Sequence, residues 1–190
     1  MAGAAAMRGQ EAARYTGVAI WLHWTIAALL IGNIFLGLYH DSFGRPVTAW
    51  MMFVHKAVGL SVLGLTLVRF AYRLLHRPPA CDPVLKRWEQ GLASFIHWLF
   101  YAMLIAIPLT GWLLSSSNGR VTDYFGLFEV APLPVPRSDD LNDLFEDLHE
   151  WLAKAVIGLV LLHVAGALKH HLQGHRQVMG RMAPWLYRDR

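Results

Sequence analysis

Residues 15–40 read YTGVAIWLHWTIAALLIGNIFLGLYH, 26 consecutive positions without an aspartate, glutamate, lysine or arginine. At about 1.5 Å per helical residue, such a run exceeds the roughly 30 Å hydrocarbon core of a bilayer. It is too long for the apolar region of a cleaved signal peptide, and Asn33, Ile34 and Phe35 make a poor cleavage site. The stretch predicts a retained first membrane span, at 15–40. Three more follow at 50–75, 90–117 and 150–169. The second carries Lys56 near its start and Arg69 and Arg73 near its end, and the third lies within an uncharged run, 90–119. A soluble bundle would have to bury two uncharged runs longer than 18 residues, a length that argues for spans instead. The expected fold is therefore all-α, an integral membrane four-helix bundle, with the whole chain 1–190 as one transmembrane domain.

Composition agrees. Of 190 residues, 55% are hydrophobic and 16% charged, against roughly a quarter charged in soluble domains. Collagen-like, disordered and disulfide-rich classes are excluded. The single cysteine, Cys81, forms no internal disulfide, and no CxxCH or CxxC is present for covalent haem or a zinc knuckle. A net charge of +4 and a pI near 9.5 would suit nucleic acid, but the basic residues flank the spans. Arg8, Arg14, Arg69, Arg73, Arg77, Lys86, Arg87, Lys169, Arg176, Arg181, Arg188 and Arg190 fall on one side. Arg45, Arg120, Arg137, Lys56 and Lys154 fall on the other. The positive-inside rule places both termini in the cytoplasm and explains the pI without nucleic acid.

The connections are punctuated by Gly44-Arg45-Pro46, by Pro78, Pro79 and Pro83, and by Pro132, Pro134 and Pro136. The spacing of Leu141, Leu144, Phe145 and Leu148 predicts a short amphipathic helix at the surface before the fourth span, as an interfacial connector or a lid. Pro108 and Gly111 predict a kink in span three.

Ten histidines in so apolar a chain need a reason. His170, His171 and His175 lie in the basic tail, His76 in a proline-rich loop and His40 at a span end, where solvation is cheap. His23, His55, His97, His149 and His163 sit where a polar side chain is costly and usually functional. His149 and His163 are 14 residues apart, close to four turns, so a continuous helix presents both to one side about 21 Å apart. By depth, His23 pairs with His163 and His55 with His149. Each pair suits two axial ligands of one haem iron, which leaves no open position and serves electron transfer. Each histidine alone suits an interhelical hydrogen bond equally well. Further ligands for a zinc site are lacking at either depth. Gly59, Gly64, Gly158 and Gly166 near these histidines suit either a flat macrocycle or close helix packing. Arg69 and Arg73, and Lys56 on the other side, are candidates for haem propionates or, equally, charges that set topology.

Taken in order, these pieces resemble a known family. Leu22-His23-Trp24, His55-Lys56-x-x-Gly59 and Arg69-x-x-x-Arg73 are followed by His97-x-x-x-Tyr101 and Pro108-Leu109-Thr110-Gly111-Trp112. Leu148-His149-Glu150, Gly158, Leu162-His163, Lys169-His170-His171 and Arg181-Met182-Ala183-Pro184 complete the set. The chain resembles the bacterial cytochrome b561 proteins, four-helix di-haem b membrane proteins related to the cytochrome b subunits of nickel-iron hydrogenases. The resemblance implies two haem b groups with His23, His55, His149 and His163 as iron ligands, and a bacterial inner-membrane location. His97 falls at a position that is not an assigned ligand and is a candidate for supporting the ligands, for a quinone site or, equally, for packing. The implied activity is electron transfer between ubiquinone or another quinone and a partner outside the bilayer. In at least one relative the donor is superoxide at the outer face. Two alternatives belong to other classes: a haem-bearing anchor for a hydrogenase or dehydrogenase partner protein, and a haem-free carrier or assembly factor.

Overall fold

The computed structural model describes residues 14–77, 79 and 85–187; Arg8, Pro78, Cys81, Pro83, Arg188 and Arg190 lie outside the described residues. Four long helices, each long and apolar enough to cross a membrane, dominate it. They are α1 (Gly17–Tyr39), α2 (Arg45–Leu75), α3 (Arg87–Ser117) and α4 (Asp139–Leu172). A 3₁₀ turn, His40–Ser42, ends α1, and a short helix α5 (Arg176–Gly180) and a last turn, Pro184–Tyr187, follow α4.

Local chemistry sets the helix ends. The Thr16 hydroxyl accepts from Ala19 N at the start of α1, and Pro46 sits in the first turn of α2, where its missing N–H costs nothing. The Glu89 carboxylate accepts from Lys86 N at the start of α3. Asp139 and Asp140 open α4, and Lys169, His170 and His171 close it, matching the helix dipole. α3 stays helical through Pro108.

Contacts at the helix ends make the bundle antiparallel. The hydroxyls of Thr16 and Tyr72 lie 2.9 Å apart, and Arg69 Nη1 donates to Ala19 O at 2.5 Å. Phe70 of α2 packs on Trp98 and Tyr101 of α3. Lys169 of α4 pairs with Glu89 of α3 at 2.7 Å, while at the opposite end Asn118 donates to Asn142. The tail returns to α1, where Trp24 Nε1 donates to Met182 O at 2.8 Å. Both ends of the described chain therefore share one end of the bundle, here the terminal end. A central apolar cluster of Ile26, Val62 and Leu104 joins three helices. Outside it, large apolar side chains such as Trp21, Phe35 and Leu161 are exposed, as a lipid-facing surface requires.

Two elements differ from the sequence expectation. Residues 141–148 are not a separate surface helix but part of the first three turns of the 34-residue α4. No glycine or proline interrupts 139–157, so nothing breaks the helix where the polar stripe gives way to the span. The loop after α3 holds an antiparallel hairpin, β1 (Thr122–Tyr124) and β2 (Phe128–Val130). Its strands are too short for a period-two pattern to show. Its turn is made by positive φ at Phe125 and Gly126, with Asp123 accepting from Gly126 N at 2.6 Å. The hairpin leans on the middle of α2: Ser61 donates to Ala57 O, so the Tyr124 hydroxyl donates to Ser61 Oγ, at 3.0 Å.

That hydroxyl bond is the polar anchor of the hairpin on the bundle. Tyr124→Phe is expected to lower stability by about 0.5–1.5 kcal/mol, measured as a lower thermal midpoint in detergent, with Tyr39→Phe as an unaffected control.

Candidate functional site

Two pairs of imidazoles face each other inside the bundle. The ring centroids of His23 (α1) and His163 (α4) are 6.2 Å apart, and those of His55 (α2) and His149 (α4) are 6.1 Å apart. The depth pairing expected from sequence is therefore the pairing found. Because α4 is continuous, the two layers stand about 21 Å apart along it.

The interval of 14 residues recurs on every long helix: His23 to Gly37, His55 to Arg69, His97 to Gly111 and His149 to His163. Each helix thus contributes one residue to each layer from nearly the same side. The layer at the terminal end holds His23, Arg69, His97 and His163. The opposite layer holds Gly37, His55, Gly111 and His149.

In the opposite layer, glycine makes room for imidazole. A Cβ on Gly37 would stand 3.1 Å from His55 Cε1, and one on Gly111 would stand 3.1 Å from His149 Cε1. Backbone carbonyls orient both rings. His55 Nδ1 lies 3.1 Å from Asn33 O, and His149 Nδ1 lies 3.0 Å from Ile107 O and 3.2 Å from Thr110 Oγ1. A carbonyl only accepts, so Nδ1 carries the proton in both rings, and Nε2 keeps its lone pair for a metal. Thr110 donates to the same Ile107 O at 2.8 Å, which leaves its oxygen free to accept from His149.

The terminal layer is built from rings. His163 is flanked by Phe100 at 5.4 Å and His97 at 5.7 Å. His23 meets Trp24 at 5.4 Å, and Trp24 in turn packs on Trp185 of the tail. Arg69 is tied to Ala19 O, and the Arg73 guanidinium lies over Trp98 and Tyr101. Lys56 follows His55 in sequence and is half-buried.

The donor geometry fits a haem. Metal–imidazole bonds run about 2.0–2.1 Å, so two rings bound trans to one metal hold their centroids roughly 6 Å apart. Both pairs have that separation already. Among the described residues no group of three or more histidines, cysteines or carboxylates forms a metal-binding cluster. Two imidazoles alone suit a metal whose remaining positions come from a macrocycle.

A profile of the family described as prokaryotic cytochrome b561 matches residues 14–185. The chain belongs to this family. It is 29% identical over 175 residues to cytochrome b561 homolog 2 of Escherichia coli (strain K12), across 89% of this chain and 90% of the relative. It is 28% identical over 174 residues to a probable superoxide oxidase, CybB, of Yersinia pestis, across 90% and 96%. Cytochrome b561 homolog 1 of Escherichia coli (strain K12) is 26% identical over 174 residues, across 90% and 97%. As a prokaryotic cytochrome b561, this is a multi-pass protein of the bacterial inner membrane that binds haem b and carries electrons across the bilayer.

Sequence reasoning singled out the four histidines and His97 but not Gly37 or Asn33, and took Thr110 and Gly111 only as part of a family motif, with Gly111 at a kink. The repeated interval of 14 was the available signal. Of the glycines it favoured, a Cβ on Gly59 would meet only Asn33 Nδ2, at 3.7 Å, and one on Gly64, Gly158 or Gly166 would meet nothing within 4 Å. In this cytochrome b561, Gly111→Leu is expected to displace the His149 ring and lower haem content per chain. Gly32→Leu, where a Cβ meets nothing within 4 Å, should leave it unchanged; the reduced absorption spectrum of each purified variant reads the difference.

Proposed function

We propose that this protein is a quinone-linked oxidoreductase that moves electrons from superoxide, or a small reductant like it, at the outer face to a membrane quinone. In this reading His23 with His163 and His55 with His149 each hold one of two haem b groups, with Arg69 and Arg73 on the propionates of one and Lys56 on those of the other. The haems supply one-electron chemistry at two depths. The observation that carries the reading is the 6 Å facing of both imidazole pairs, one near each end of the spans.

The protein's own residues supply the rest. Asn33 O and Ile107 O hold the Nδ1 protons of His55 and His149, which fixes both tautomers and raises the basicity of the imidazoles. The apolar cluster of Ile26, Val62 and Leu104 joins three of the helices and keeps water from the space between the layers. Positive-inside charge bias puts the terminal end in the cytoplasm, so the opposite end receives the reductant. There Asp139, Asp140, Asp143, Glu146, Asp147 and Glu150 are exposed and repel an anion. Lys154 is engaged with Glu150 at 2.6 Å, and Lys56 is given to the propionates, which leaves Arg45 and Arg120 to draw superoxide in.

Quinone, dissolved in the same apolar phase as the helices, is reduced at the cytoplasmic layer. Two superoxide anions lose one electron each and leave as dioxygen. The quinone takes both electrons and two protons to become quinol. His97, beside His163, relays both protons, taken up one after the other from the cytoplasm, to the quinone oxygens.

Stopped-flow mixing of superoxide with the oxidised protein, purified without partners, tests the reading. Haem reduction within the lifetime of superoxide, followed by reoxidation on adding quinone, is the expected result. Failure of superoxide to reduce the haems would end this reading in favour of a membrane anchor fed by a hydrogenase or dehydrogenase. His97→Ala is expected to keep full haem content and to slow quinone-dependent reoxidation roughly 10²-fold; a wild-type rate would remove His97 from the quinone site.

A further inference from the structure

At the terminal end, the start of α1 and the end of α2 enclose a cavity of about 180 Å³ that reaches Tyr101 of α3. Five of its lining residues are basic in character, Arg14, Arg69, Arg73, His76 and Arg77, and none is acidic. Among the described residues, no carboxylate lies within ion-pairing distance of any of the four arginines. So much positive charge around one small space, with no carboxylate among the described residues to meet it, favours an anion.

The charges fall into two sets along the axis of α2. Arg69 and Arg73 lie deep, where Arg69 is bound to Ala19 O and Arg73 lies over two aromatic rings. Arg77 lies two residues past the end of α2, beyond its extended cap His76. With Arg14, which precedes the first turn of α1, and His76, it sits at the mouth. The reading of the deep pair as propionate partners leaves the mouth without a ligand.

We propose that the mouth binds the phosphate of an anionic membrane phospholipid. It lies at the helix ends, the level of the headgroups. Hydroxyls are in place beside the charges: Thr16 and Tyr72 are bonded to each other across the α1–α2 gap, and Tyr72 stacks on His76 with centroids 4.0 Å apart. Arg14 and Arg77 supply the forked donors that suit phosphate oxygens. Val18 and Trp21 on α1 and Leu74 and Leu75 on α2 are exposed next to these residues and give acyl chains an apolar surface. A lipid bound here bridges the first two helices, closing the end of the bundle over the terminal layer. A phosphate free in solution offers the same headgroup chemistry without the acyl contacts.

Native mass spectrometry of the haem-loaded protein with phosphatidylglycerol or phosphatidylcholine tests the proposal. Phosphatidylglycerol is expected to bind preferentially as a single retained adduct, to survive 10 mM inorganic phosphate, and to weaken about 30-fold in R14Q/R77Q. Haem content of that variant should be unchanged, and R45Q/R137Q at the other end should bind as wild type does. Equal retention of phosphatidylcholine by the unaltered protein overturns the proposal, and this arm stands even if the variant fails to fold. Displacement by inorganic phosphate would make the mouth a site for soluble anions instead. Loss of haem from R14Q/R77Q would assign these arginines to the haem.

Discussion

Everything in this bundle is arranged around keeping imidazoles paired in a medium that penalises lone polar groups. A histidine in the bilayer interior needs its N–H satisfied and its second nitrogen employed. Two facing rings on neighbouring helices, with room between them for one metal, meet both needs. On α4 an interval of 14 residues, close to four turns, repeats nearly the same facing for an imidazole at a second depth. The same needs decide where small residues go. Gly37 and Gly111 stand opposite His55 and His149, each at a distance where an added methyl group would press on the ring.

The two layers solve the problem with different materials. In the layer away from the chain ends, the carbonyls of Asn33 and Ile107 hold the rings, with Thr110 bracing the second. In the terminal layer, aromatic rings of Trp24 and Phe100 and the imidazole of His97 enclose His23 and His163. Metals held in such unlike surroundings would differ in their electronics, since hydrogen bonding to a ligating imidazole and the polarity around it both tune a bound metal.

The fold was legible because bilayer thickness acts on sequence so bluntly: an uncharged run such as 15–40 has few other uses. The facing of the histidine pairs was legible from depth alone, since helix rise converts residue number to position. What stayed hidden depended on lateral contacts. That Gly111 serves His149 follows from α3 lying against α4, and nothing in the order of residues says which helix lies opposite which. The hairpin at 122–130 was hidden for another reason: three-residue strands carry no pattern, and Tyr124 is tied to Ser61 across 63 positions of chain. The start of α4 was misjudged because its amphipathic stripe looks like an interfacial helix, while the absence of a breaker before Gly158 carried the actual information.

The central claim is that the chain holds two haems, each between two histidines. A pyridine haemochromogen assay against quantitative amino-acid analysis tests it most directly, run on wild type and His149→Ala. Two haem b per chain, falling to one when His149 is removed, is the result this account predicts. One haem per chain in the wild type, or two retained in the variant, would contradict it.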